Sequence, residues 1–321
     1  MNSKERDISI DIMRGIAILV VVLGHSFQSC LGGHQLYIYD IIRNFQMPIF
    51  MFISGMGLAF SYPKKISIVL IKEKVIRFLP ASLIWGYVLY FLRCWVLEEQ
   101  INISEIIKVI YASNFWFLRY LLIYQVIIIG TGCIINRIFP SAREWMFYFI
   151  PIMVVVLIKV GTYIPVVKYS MSSSLYLWLV AGIIFEKIKS KFPDKIMTLL
   201  GIIGSVSVTV LTYFHILNLV YTLGMILIVW WMSNVLSKYQ VVSNYMQYIG
   251  VRTLPIYAIH HTVLYGPLVS IGFYDRLFGK YNISLLAGVM SLFLLWTAIS
   301  LIAEHIISKN RMLRKILFAK V

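Results

Sequence analysis

The sequence predicts an all-α integral membrane protein of about ten transmembrane helices in one bundle, with both termini cytoplasmic. Hydrophobic residues make up 60% of the 321-residue chain and charged residues 13%, with a mean hydropathy of +0.84, outside the range of soluble globular domains. Apolar runs of about twenty residues, enough for a helix to cross ~30 Å of hydrocarbon, recur from end to end. The 29 Lys and Arg outnumber the 13 Asp and Glu and gather in short segments between the runs, a pattern of membrane orientation rather than nucleic-acid binding. The runs are too long for the alternating strands of a β-barrel.

In order, the spans are expected at 8 to 30, 41 to 61, 75 to 97, 114 to 136, 144 to 161, 170 to 188, 195 to 214, 216 to 236, 244 to 273 and 282 to 308. The first follows Lys4 and Arg6 and resembles a signal peptide, but Asp7, Asp11 and the want of a convincing cleavage site point to a retained span. The second and third are parted by the basic "SYPKKISIVLIKEKVIR", the fourth and fifth by "NRIFPSAR", the sixth and seventh by "EKIKSKFPDK" and the eighth and ninth by "SKYQ"; the tenth runs into "KNRMLRKILFAK". Alternate connections are therefore basic, which assigns them and both termini to the cytoplasmic side. The seventh and eighth are joined by "YFHILN", short enough to require a tight hairpin or a partly re-entrant helix. In the ninth, Pro255 and Gly266-Pro267 predict a kink or break.

Neither an appended domain nor a repeat is evident, so residues 1–321 read as a single membrane domain. Cys30, Cys94 and Cys133 are odd in number and widely spaced, giving no disulfide framework and no zinc pattern, and no metal is expected. The outer segments are too small to fold alone but carry polar and aromatic groups suited to a shallow acceptor site. Lys159 and Lys168, flanking one of them, suit an anionic glycan.

The first helix, "DIMRGIAILVVVLGHS", carries the chemistry. From Arg14 to His25 is three helical turns plus about 20°, so both side chains leave one face, about 16 Å apart along the axis. Arginine offers a planar donor fork for phosphate; it also snorkels at interfaces, and Asp11 stands at the i,i+3 position to pair with it. An uncharged buried histidine accepts a proton from a hydroxyl, or bonds across helices as a core residue. Together they suit a ligand that is anionic at its cytoplasmic end and reactive at its buried end, the shape of a coenzyme A thioester.

With "FQMPIFMFISG" (Phe45 to Gly55), "KVIRFLP" (Lys74 to Pro80), "FWFLRYLLIY" (Phe115 to Tyr124) and "LPIYAIHH" (Leu254 to His261), this helix resembles the membrane acyltransferase-3 family. The spacing of Arg, ten residues, then His is that family's signature, and the "MPIF…SG" form is closest to its branch of fucose 4-O-acetylase-like sugar O-acetyltransferases. Lys74 stands where that family often has Arg, and the spans between Gly130 and Tyr245 match only in hydrophobicity.

The resemblance implies transfer of an acyl group, usually acetyl, from cytoplasmic acetyl-CoA to a carbohydrate hydroxyl, by a multi-pass protein of the plasma (inner) membrane. His25 is then the catalytic base and Arg14 the donor-positioning residue. Lys74 and Arg77 are candidates for the nucleotide phosphates, or ordinary inner-side anchors. Ser54, Trp116 and His260 are supporting candidates: Ser54 equally a packing residue, Trp116 equally an interfacial aromatic, and His260 a hydrogen-bonding partner. His261 is expected on another face of the helix. Glu304 and His305 could relay protons or offset the basic tail, and stay outside the site. The alternative reading is a polytopic transporter or flippase of a glycan lipid, although paired halves with matching broken segments are not seen.

Overall fold

The computed structural model describes residues 7–30, 37–63, 65–112, 116–139, 141, 144–161, 163, 172–216, 218–280 and 284–318, and among these every regular element is helical. Lys4, Arg6 and Lys168 lie outside the described residues, as does much of the outer segments around residues 31–36 and 164–171.

Helix α1 (Ile8–Cys30) coincides with its expected limits. Asp7 starts it: its carboxylate accepts from the backbone N–H (2.9 Å) and hydroxyl (2.6 Å) of Ser9, satisfying a donor that a helix start leaves open. The same carboxylate pairs with Lys189. Burial pushes the Asp7 pKa up, but the bonds from Lys189 and Ser9 outweigh it and hold the group below the usual carboxylate value.

Helix α2 (Tyr37–Ala59) is followed by α3 (Ile68–Leu97), α4 (Ile103–Ala112), α5 (Trp116–Ile138), α6 (Met146–Gly161) and α7 (Ser173–Ile188). Ser67 caps α3 by accepting from Leu70 N–H at 3.3 Å. At 30 residues, α3 is about 45 Å long and exceeds the hydrocarbon thickness. It therefore begins two turns earlier than expected, and those turns bring Lys72 and Lys74 into the helix.

Helix α8 (Asp194–Tyr213) and α9 (Leu219–Leu236) form the tight hairpin; His215 at φ 55° reverses the chain, and Asn218 caps α9 by accepting from Val220 and Tyr221 N–H at 3.0 Å. The expected ninth span is broken into α10 (Gln240–Gly250), α11 (Thr253–Ile259), a π-helical turn (His260–Tyr265) and α12 (Gly266–Ser270). Helix α13 (Phe273–Lys280), α14 (Leu285–Ser308) and α15 (Arg311–Phe318) complete the chain.

Among the described residues, five helices, α1, α3, α5, α9 and α14, are long and apolar enough to cross a membrane, fewer than the ten expected spans. Helices α6 and α7 have 16 residues each, short of a full crossing, and α2 carries Asp40, Arg43, Asn44, Gln46 and Pro48. Large apolar side chains stay exposed on outward surfaces, among them Trp95, Leu157, Leu286 and Ile302, as lipid contact demands.

Helix α1 is central, packed by α2, α9, α10 and α14. Two glycine contacts set the bundle's closest approaches. A Cβ on Gly250 would lie 1.9 Å from the Asp11 carbonyl oxygen, joining α10 to α1. A Cβ on Gly55 would lie 2.0 Å from the Leu179 carbonyl oxygen, and one on Gly182 2.0 Å from that of Phe52, joining α2 to α7. Only residues without a side chain permit backbones this close.

Candidate active site

Two clusters follow one another along α1. The first surrounds a cavity of about 270 Å³, into which α1 sends Arg14 and α3 sends Lys74 and Arg77. Arg14 is oriented by Asp11, whose carboxylate accepts at 3.0 Å, so the i,i+3 pair forms and Arg14 lines the cavity as well. Gly57 leaves room for that guanidinium: a Cβ there would stand 3.2 Å from it. Among the described residues lining the cavity are these three cations and no carboxylate, a composition suited to a polyanion. Ser54 and Gln125 supply neutral polar groups, while Val21, Leu118, Leu121 and Tyr257 supply apolar surface.

Tyr257 connects this cavity to the second cluster, its ring stacked 5.7 Å from that of His261. His25 and His260 are buried, with His25 Nδ1 3.0 Å from His260 Nε2. His260 Nδ1 lies 2.6 Å from the carbonyl oxygen of Ile256. A carbonyl only accepts, so His260 Nδ1 carries the hydrogen and, in the neutral ring, His260 Nε2 is an acceptor. His25 Nδ1 must then donate to it. The bond order from Ile256 through His260 leaves the Nε2 lone pair of His25 as the basic site.

The ring of Tyr265 stacks on His25 at 4.3 Å and 10°, and His261 stands 5.5 Å from the same imidazole. This corrects the expectation that His261 faces elsewhere. In the π-helical turn, Gly266 N–H bonds the His261 carbonyl five residues back, and the widened turn lets both adjacent imidazoles approach α1. Among the described residues, no group of three or more His, Cys, Asp or Glu could hold a metal ion.

Residues 7–308 match the family model described as an acyltransferase domain. The chain belongs to the acyltransferase-3 family. No curated protein and no solved structure matches it. The family match spans both clusters, and with five membrane-capable helices the chain is a membrane acyltransferase.

Of the residues expected from sequence, Arg14, Lys74, Arg77 and Ser54 share the cavity, and His25 and His260 share the deeper cluster. Trp116 joins neither; it packs edge-on against Phe117 and Tyr120. Glu304 and His305 form no relay. The carboxylate of Glu304 is buried on Arg252, 2.8 Å from its Nε, and accepts the Ser308 hydroxyl at 3.0 Å, while His305 is exposed. Sequence reasoning missed Gln125, Tyr257 and Tyr265. For Gln125 a signal existed, as the amide side chain in the middle of the apolar run of α5, where the other amide, Asn136, stands at the basic end.

Proposed function

We propose that this acyltransferase moves an acetyl group from cytoplasmic acetyl-CoA to a hydroxyl of a surface or secreted glycan or its lipid-linked precursor. It acts in the plasma membrane with both termini cytoplasmic and about ten membrane segments, some of them short. The sugar O-acetyltransferase branch of the family is the one its motifs favour.

The observation that carries this reading is the placement of two chemistries on one face of α1: a cavity lined by Arg14, Lys74 and Arg77, then the His25–His260 bond at 3.0 Å. The cations receive the donor's phosphates, by bidentate bonding in the case of the two arginines. His25 Nε2 takes the proton of the acceptor hydroxyl as its oxygen attacks the thioester carbonyl. The tetrahedral intermediate collapses to the ester, and the departing coenzyme A thiolate receives the proton back from His25. His260 holds His25 in the tautomer that makes this possible.

The test uses purified protein in lipid nanodiscs with radiolabelled acetyl-CoA and a panel of glycan precursors, comparing wild type with an equally folded His25→Ala variant. Label transferred to a sugar by wild type alone supports the reading. A folded wild type that neither binds nor consumes acetyl-CoA overturns it and turns attention to transport of a glycan lipid.

A further inference from the structure

We infer that Gln125 is a donor-binding residue that pairs its carboxamide with an amide of the donor's pantetheine arm. The inference rests on the acetyl-CoA reading above and deepens it. Gln125 is 3% exposed, lines the cation-bearing cavity, and its Oε1 is buried with no hydrogen-bond partner. Buried polar groups are nearly always bonded, so an acceptor left without a partner on a residue that lines a cavity marks the place of a ligand's donor. Gln46 also has a buried, unbonded Oε1, but it lies against α1 at Gly24 and is not among the residues that line this cavity.

The class of partner follows from what shares the cavity. Arg14, Lys74 and Arg77 select a polyanion, whereas α5, which carries Gln125, otherwise gives the cavity only Phe117, Leu118 and Leu121. A ligand filling both parts is heavily charged at one end and uncharged along its arm, with isolated polar groups there. Coenzyme A has this form: phosphates, then an arm with two amides, then the thiol. An amide is the natural complement of a carboxamide, because each presents both N–H donor and carbonyl acceptor, whichever way the glutamine is turned.

The experiment measures equilibrium binding to the full chain in nanodiscs for three ligands: coenzyme A, adenosine 3′,5′-bisphosphate, and a coenzyme A analogue whose arm amides are replaced by methylene groups. Wild type is compared with Gln125→Leu and the near-isosteric Gln125→Met. Both variants should bind coenzyme A about tenfold more weakly than wild type and adenosine 3′,5′-bisphosphate unchanged, and the amide-free analogue should bind wild type and variants alike. The unchanged bisphosphate affinity also reports that the variants are folded. Equal coenzyme A affinity in wild type and variants overturns the inference while leaving the acetyl-CoA reading standing. A wild type that binds no coenzyme A overturns both.

Discussion

His25 and His260 are joined, ring nitrogen to ring nitrogen, at 3.0 Å across two helices, and the carbonyl of Ile256 fixes which of them donates. Replacing His260 should therefore harm catalysis by misdirecting His25. We expect His260→Ala to lower kcat about a hundredfold with little change in KM for acetyl-CoA. His260→Gln, which can still accept from His25 Nδ1, should recover part of that loss. His260→Asn, too short to reach His25, should not. Steady-state kinetics on the three variants separate a tautomer-setting role from a packing role, for which Gln and Asn would behave alike.

Lys74 and Arg77 face the cavity with Arg14, so they should govern donor affinity. Arg77→Leu is expected to raise KM for acetyl-CoA about tenfold and leave kcat near wild type. Arg77→Lys should restore only part of the affinity, because a lysine cannot make a bidentate phosphate contact. Added salt should narrow the gap between wild type and Arg77→Leu.

Much of this arrangement is legible in the sequence, and the remainder fails for identifiable reasons. The face shared by Arg14 and His25 follows from helical periodicity alone, and α1 begins and ends where expected. Helix α3 begins early because hydropathy detects the part of a helix that lipid covers, and Lys72 and Lys74 belong to turns beyond it. Short amphipathic helices such as α4, α13 and α15 escape a search for apolar runs. The position of His261 depends on a π-helical turn that no spacing rule announces. The importance of Gln125 depends on whether a neighbour bonds it, which only the assembled bundle decides.

The glycine contact between α1 and α10 predicts a sharp steric cost. A Cβ at Gly250 would stand 1.9 Å from the Asp11 carbonyl oxygen, against backbone that cannot swing aside. Gly250→Ala should destabilise the fold by about 1–3 kcal/mol or more. It should also weaken donor binding, because Asp11 holds Arg14. Gly130, with nothing within 4 Å of its would-be Cβ, is the control: Gly130→Ala should be neutral or slightly stabilising. Thermal unfolding in nanodiscs distinguishes the two.

Arg252 and Glu304 form a pair in which the acid is almost wholly buried, with 3% side-chain exposure. Removing the arginine takes a charged partner from a buried carboxylate that keeps the Ser308 hydroxyl, so Arg252→Leu should cost about 3 kcal/mol. The double replacement Arg252→Leu/Glu304→Leu should cost markedly less than the sum of the single ones. A double-mutant cycle on thermal stability reads the coupling.

The Asp7 pairing gives stability a pH dependence. Its folded pKa is lower than the unfolded value near 3.8, so the unfolded chain binds the proton more readily. The contribution is complete above the unfolded value and disappears as pH falls through the folded one. Wild type should therefore lose its stability advantage over Asp7→Asn on acidification below about pH 4. A constant difference down to pH 2 would refute the assignment.

The wide turn at His260–Tyr265 separates two helices with different obligations: α11 seats against α14, and α12 seats against α3. In a continuous α-helix, one docking angle would dictate the other. The looser winding absorbs that disagreement, like a vernier between two fixed scales. A π turn takes one residue more than an α turn over nearly the same rotation, so deleting one residue would restore regular winding and leave α12 facing α3, but it would remove the widened turn through which both imidazoles reach α1. The pair of histidines thus sits at a splice, where length, rather than side-chain identity, is the quantity least able to change.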